Sequence, residues 1–358
     1  IQFPPLWIMK IIINALSGNG DALMFSPALK LLKEKLPESE IDMLVMFRSV
    51  KEMYLNHPAL RSIFHIDFLK QSKLKSISEL RKLKQNDYDY SINVYPSNRL
   101  EYNVVNALIG AKHKISHHYI HTNTSRAEFF NDILINEIKD RHNVLQNIDL
   151  IKPIVDVNDE SAGAMEIYVS ENDTLDADQW MIENGLNSKK LAGIHPGSSV
   201  LKNHIHKRWS KEGYVELIKY LCDEKDFEVL LFGNEYELNN EIISASGHDA
   251  KIASTSNFMD SIARMKHCSI FISNDTAFMH CAAALSLPTV AIFGYTNSKE
   301  LFPWMTKNVV VRKELECSPC FYNSPKPAEC KFTGADEFKC MKLIKAEDVK
   351  NAVDRLIG

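Results

Sequence analysis

The stretch Ser269-Ile270-Phe271-Ile272-Ser273-Asn274-Asp275-Thr276-Ala277-Phe278-Met279-His280-Cys281-Ala282-Ala283-Ala284-Leu285-Ser286-Leu287-Pro288-Thr289-Val290-Ala291-Ile292-Phe293-Gly294 decides the fold. Its opening apolar run is too short for a helix and reads as a buried strand. Asn274-Asp275-Thr276 is a polar group of the kind that caps a helix, and the small residues from Ala277 to Leu285 form that helix. Leu287-Pro288 ends it, and Thr289 to Phe293 returns as a second strand closed by Gly294. In a parallel sheet such a unit sets the helix start at the carboxyl edge of the strands. There unpaired N–H groups and the helix dipole favour an anion such as a phosphate or diphosphate. His280, about one turn past the cap, joins Asp275 and Thr276 at the same end.

The same alternation runs outward in both directions. Lys10 to Ala15 reads as a strand, followed by the turn Ser17-Gly18-Asn19-Gly20-Asp21 and a helix from about Ala22 to Lys35. No third glycine completes a dinucleotide fingerprint there, but the turn delivers Asp21 to the carboxyl edge of the first strand. Short apolar runs at Ile41 to Val45, Ser62 to Ile66 and Ser91 to Tyr95 alternate with helical stretches near Lys51, Ile77 to Gln85 and Arg99 to Leu108. This pattern predicts a doubly wound parallel sheet. A helix from His142 to Lys152 closes the first half, and Pro153 to Ala164 reads as a linker. The second half repeats the scheme, with strands at Glu166 to Val169, Leu191 to His195, Phe227 to Phe232, Lys251 to Ala253 and Ser269 to Ser273. An amphipathic helix from about Ala346 to Ile357 buries Val349, Ala352, Val353 and Leu356.

Three turns of the second half carry chemistry. His195-Pro196-Gly197-Ser198-Ser199 is a small-residue turn able to wrap a phosphate with backbone N–H groups, and Lys202, Lys207 and Arg208 follow on its lip. Glu235 follows the strand-end turn Phe232-Gly233-Asn234, where a carboxylate serves either to accept hydrogen bonds from a ribose or as a plain N-terminal helix charge. Asp275 stands at the same edge of the sheet.

The 358 residues, 45% hydrophobic and 25% charged, suit a globular protein with two cores. A net charge of −4 gives no general attraction to nucleic acid, and no window is long and apolar enough to span a bilayer. No secretory signal is read at the start; residues 1–8 read as an extension before Met9-Lys10. Of the seven cysteines, Cys222, Cys268 and Cys281 sit in apolar segments, as expected in a reducing cytoplasm. Cys317, Cys320, Cys330 and Cys340 lie in a loop-like region where a staple, by structural zinc or by disulfides, is expected rather than a reactive centre. Lys70, Lys73, Lys75, Arg81, Lys82 and Lys84 form a solvated basic face that also suits an anionic acceptor or acidic lipid headgroups. His113, His117, His118 and His121 lack carboxylate or cysteine partners at helical spacing, and a loop near the cleft is expected there rather than a metal site.

Taken in order, Gly20-Asp21, Pro27-Ala28-Leu29, the His142 to Leu150 segment, His195-Pro196-Gly197, Lys207-Arg208-Trp209, Phe232-Gly233-Asn234-Glu235, Asn274-Asp275-Thr276, Met279-His280, Ala282-Ala283-Ala284 and Phe293-Gly294 resemble glycosyltransferase family 9, the lipopolysaccharide heptosyltransferases. The late cysteines are similar to those of one branch of that family. The resemblance implies a GT-B architecture, two Rossmann-like domains facing a central cleft. Residues 9–155 would bind the acceptor and residues 165–340 the nucleotide sugar, with residues 341–358 as a closing helix. It also implies inverting transfer without a metal or other cofactor, ADP-heptose as donor, and a lipopolysaccharide or other glycan or glycolipid acceptor. The place implied is the cytoplasm, peripheral on the inner face of the cytoplasmic membrane. Under this resemblance Asp21 is the base and Lys207 holds the donor phosphates. Ser198, Ser199, Arg208, Glu235, Asp275, Thr276, Ala277 and His280 line the donor site, and Gly20, Asn98 and Arg99 contact the acceptor. Relatives usually carry Gly-Pro where this chain has Ala277-Phe278, a change that bears on which sugar is transferred. A nucleotide-sugar epimerase or hydrolase of the same architecture, and a degenerate sugar-nucleotide binding protein, are the competing readings.

Overall fold

The computed structural model describes residues 8–120, 127–322 and 326–358. The chain divides between Tyr168 and Val169 into two compact units. In the first, β1 (Lys10–Ala15), β2 (Glu40–Val45), β3 (Ser62–His65), β4 (Tyr90–Asn93), β5 (His113–His118) and β6 (Ile133–Asn136) form one sheet in the order β3-β2-β1-β4-β5-β6. In the second, β7 (Leu191–His195), β8 (Glu228–Leu231), β9 (Lys251–Ile252), β10 (Ile270–Asn274), β11 (Thr289–Ile292) and β12 (Asn308–Val311) take the order β12-β11-β10-β7-β8-β9. Every pairing is parallel. Counted within its own unit, each sheet has the order 3-2-1-4-5-6, the dinucleotide-fold order. Its reversal point lies between β1 and β4 in one unit and between β7 and β10 in the other, and ligands settle outside the carboxyl ends of such a pair.

The central strands are buried on both faces. Ile11, Ile12 and Ile13 of β1, Ala192 and Ile194 of β7, and Ile270, Phe271 and Ile272 of β10 are inaccessible to solvent. The helix Ala277–Ala284 buries Met279, His280, Cys281, Ala282 and Ala283, and the small volumes of the last three let it lie close on β10 and β11. The helix Ala346–Ile357 packs on the second unit through Val349, Ala352, Val353 and Leu356.

Several expectations change. The predicted helix from Ala22 to Lys35 is two helices, Asn19–Leu23 and Ser26–Lys35. Pro27 has no N–H and its ring would meet the carbonyl of Leu23, so it fits only in a first turn. Ser26 marks the break, its hydroxyl donating to the Leu23 carbonyl at 2.7 Å. Glu166 to Val169 belongs to neither sheet. Instead the Glu166 N–H donates to Ser26 Oγ (2.9 Å), and the Glu166 carboxylate takes Lys30 and the Tyr168 hydroxyl. Side-chain contacts, not a ladder, hold that segment.

The histidine group is not a loop. His113, His117 and His118 lie on β5, and His121 falls outside the described residues. Ile115 is the one aliphatic residue in that strand, so the run carries no apolar signal. The pleat turns His117 and His118 to opposite faces. His117 is fully buried beside Tyr95, with burial lowering its pKa to about 3, while His118 Nδ1 meets Glu128 at 2.7 Å. Expected as a helical segment from Ile77, the basic stretch forms the helix Lys73–Lys84, capped by Ser72. Among the described residues no helix is long and apolar enough to cross a membrane.

Candidate functional site

The second unit gathers most of the predicted residues at its reversal point. Thr276 is the N-cap of the helix Ala277–Ala284, in extended conformation, but its hydroxyl does not cap the helix. It pairs instead with His195 Nδ1 at 2.8 Å and Ser273 Oγ at 3.2 Å. The helix start therefore carries no side-chain cap, and its dipole faces outward with Ala277 in the first turn. Lys207 reaches this point from the loop after β7, its Nζ 2.7 Å from Asp275 Oδ2 and 3.4 Å from the Asp275 carbonyl. Burial alone would push the Asp275 carboxyl up; the charge and hydrogen bond of Lys207 outweigh it and hold the group below its usual range.

His280 lies one turn further in and is 3% exposed. Burial lowers its pKa to about 4, so the ring is neutral at physiological pH. Among the described residues its Nδ1 has no hydrogen-bond partner. A buried polar atom left so costs about 1–3 kcal/mol, which a hydrogen-bonding ligand would relieve.

Glu235 sits in a slot made by two glycines. A Cβ on Gly197 would come within 2.3 Å of its carboxylate, and one on Gly233, at φ +104°, within 2.5 Å. Inside the slot Glu235 Oε1 accepts from the Ser198 N–H at 3.0 Å and from Arg208 Nη2 at 3.4 Å. Burial raises its pKa, but His195 and Arg208 more than offset this and the net shift is downward. The group is thus an acceptor, suited to hydroxyl donors such as those of a ribose. Arg208 also donates to the Ser198 carbonyl at 2.9 Å, closing the turn. Ser199 is exposed, and its hydroxyl accepts from the Leu201 N–H at 3.1 Å.

Asn274, read in the sequence only as one member of the helix-capping group, is the hub of this cluster. Its amide donates to the carbonyls of Pro196 (2.9 Å) and Gly197 (3.1 Å) and accepts from the Trp209 N–H (3.0 Å) and the Tyr214 hydroxyl (2.9 Å). One fully satisfied side chain thus fixes the end of β10 to the β7 turn and to the loop bearing Lys207 and Arg208. Its signal is position alone, a polar residue closing an apolar strand.

In the first unit Gly20 and Asp21 lie in the helix Asn19–Leu23, beyond the end of β1. Asn98 and Arg99 lie beyond β4, Arg99 as N-cap of the helix Leu100–Ile109. The two segments meet: the Ser17 hydroxyl donates to the Pro96 carbonyl at 2.7 Å. Tyr102 stands between them, its hydroxyl donating to the Leu16 carbonyl at 3.1 Å and Arg99 over its ring. Burial raises the Tyr102 pKa, Arg99 lowers it, and Asp21 acts on it in the opposite sense to Arg99. Asp21 and Arg99 therefore share one neighbourhood at the unit's reversal point. Tyr102, one turn after Arg99, had no reading in the sequence.

The late cysteines are free thiols. Cys317, Cys320, Cys330 and Cys340 line one cavity with Tyr295 and Phe338. Burial, and then the neighbouring Cys320, raises the Cys340 pKa to about 11, so that thiol stays protonated and unreactive at neutral pH. Among the described residues no group of three or more His, Cys, Asp or Glu is placed to hold a metal ion.

The fold and its two reversal-point clusters define a class first. The chain is similar to the solved glycosyl transferase family 9 protein from Veillonella parvula, with a TM-score of 0.77 at 21% identity over 97% of each chain. It is also similar to the E. coli ADP-heptose LPS heptosyltransferase II, with a TM-score of 0.72 at 19% identity, covering 97% of this chain and 98% of that one. The architecture is GT-B. The profile of glycosyltransferase family 9 (heptosyltransferase) matches residues 77–330, and the chain belongs to that family. It is a glycosyltransferase. In sequence it is similar to the lipooligosaccharide heptosyltransferase 2 of Campylobacter jejuni, 26% identical over 360 residues, spanning 97% of this chain and 99% of the relative.

Proposed function

We propose that this glycosyltransferase moves a sugar, heptose from ADP-heptose, onto a lipopolysaccharide or other cell-envelope glycan acceptor, with inversion and without a metal. The carrying observation is the anion seat of the second unit, where Lys207 and an uncapped helix start stand beside a ribose-type acceptor at Glu235. The relatives support the donor: they are heptosyltransferases, one of them an ADP-heptose LPS heptosyltransferase. In this reading the second unit takes the donor and the first unit the acceptor.

The acceptor oxygen attacks the anomeric carbon opposite the diphosphate. Asp21 takes the hydroxyl proton as the new C–O bond forms. The bond to the diphosphate breaks with its electron pair, and ADP departs with its charge met by Lys207 and the helix start. Arg99 and Asn98 hold the acceptor near Asp21. The experiment is a panel of nucleotide sugars, read by melting temperature and by transfer to a core-glycan acceptor. ADP-heptose is expected to shift the melting point most, since a ligand at 100 times its Kd adds about 2.7 kcal/mol of stability. A shift with UDP-sugars alone, or hydrolysis that no acceptor diverts, overturns the reading.

The reading includes peripheral contact with an anionic membrane, where a lipid-linked acceptor resides. Leu69 and Leu74 are 68% and 81% exposed and stand among Lys70, Lys73 and Lys75. Apolar residues inside a basic cluster bind acidic headgroups, with about 1 kcal/mol per lysine near the surface. Replacing both leucines by Glu is expected to reduce co-sedimentation with phosphatidylglycerol vesicles several-fold and to leave phosphatidylcholine vesicles unbound. Unchanged sedimentation rejects this contact.

A further inference from the structure

The proposed donor carries diphosphate, ribose and base in line, and this inference rests on that reading. Two points of the line are set within the second unit. The diphosphate belongs with Lys207, Asp275 and the helix start at the end of β10, and the ribose with Glu235 at the end of β8. Since the sheet runs β10-β7-β8-β9, continuing past Glu235 leads toward the end of β9 and the start of the helix Phe258–Met265.

Phe278 points along that same direction. It belongs to the first turn of the helix after β10, yet its ring neighbours are His195 at the end of β7 (centroids 4.6 Å), Phe232 at the end of β8 (6.0 Å) and Phe258 after β9 (5.5 Å). Phe232 is fully buried, whereas Phe258 and Phe278 are half-buried. His195 ties this group to the seat, with one ring nitrogen on the Thr276 hydroxyl and the other 3.8 Å from Glu235. Two partly open aromatic rings therefore join the ends of β7 and β8 to the segment after β9, along the strand order that leads past Glu235.

We propose that Phe278 and Phe258 form a shelf against which the nucleobase of the donor packs, making Phe278 a specificity-determining residue for the base rather than for the transferred sugar. A flat heteroaromatic ring gains from offset or edge contact with such rings, and a purine offers more face than a pyrimidine. The bulk of Phe278 thus falls at the base end of the donor.

The test is calorimetric titration of ADP, UDP, ribose 5-phosphate and pyrophosphate into the wild type, Phe278→Ala, Phe278→Leu and Phe258→Leu. Phe278→Leu retains an apolar contact if the alanine variant does not fold. The wild type is expected to prefer ADP to UDP. Phe278→Ala should weaken ADP by roughly 10- to 100-fold and shrink that preference, with pyrophosphate and ribose 5-phosphate held within about two-fold. Phe278→Leu and Phe258→Leu should show smaller losses of the same pattern. Equal weakening of ADP and pyrophosphate, or unchanged ADP affinity, overturns the shelf while leaving the donor reading intact. A wild type that binds pyrophosphate but no nucleoside diphosphate overturns both.

Discussion

Asp21→Asn is expected to lower turnover by about 10²–10⁴-fold, the usual contribution of a positioned base, while ADP binds as before. The substitution keeps the shape of the side chain and removes its ability to take a proton. Asp21 is half-buried in the short helix Asn19–Leu23. In the proposed reading the donor seat belongs to the other unit and does not use this carboxylate. The measurement pairs initial rates of transfer with an ADP titration of the same preparation. Rates equal to wild type would remove Asp21 as the base. Loss of ADP affinity would show that it does something other than take the proton.

Lys207→Ala is expected to slow transfer by about 10²–10³-fold, as when one preorganised charge is removed from a leaving group, and to weaken ADP and ADP-sugar binding. Unchanged rate and affinity would contradict the phosphate role. Stability should fall as well. Asp275 is 5% exposed and Lys207 is its cation; stripping one partner from such a pair costs about 3–5 kcal/mol. The pH dependence carries a sign. In the wild type the Asp275 carboxyl titrates below its usual value, so its contribution is present above the unfolded pKa of about 3.9 and is lost as pH falls through the folded value. In the variant the main lowering influence is gone, burial outweighs what His280 and Thr296 still contribute, and the carboxyl pKa rises. Melting temperature should then fall as pH rises through that raised pKa, opposite to the wild-type trend. A second change, Asp275→Asn on the Lys207→Ala background, should recover stability without recovering donor binding.

Much of this was legible in the residues. The run from Ser269 to Gly294 folds as a strand, helix and strand because its aliphatic and small residues leave no other way to bury so much apolar surface. Asp275, Thr276 and His280 follow from that placement, and Glu235 from the glycine turn before it. What escaped has physical reasons. β5 is written in histidines and β12 in four residues, so neither carries a readable period. The break between the first two helices depends on Pro27 and the strand-like reading of Glu166 to Val169 on apolar alternation alone, and tertiary contacts decided both. The pairing of Thr276 with His195, and the four bonds of Asn274, join residues some 60 to 81 positions apart. No local pattern announces such meetings.

The same strand order recurs in both units, and each builds the cluster at its reversal point from residues of its own chain segment. A lesion in one unit therefore leaves the other workshop furnished. Under the proposed function, changes that retune which glycan is accepted can accumulate among Ser17, Asn98, Arg99 and Tyr102 without disturbing the nucleotide grip, and the converse holds around Lys207 and Glu235. Such a molecule is free to diversify one appetite at a time.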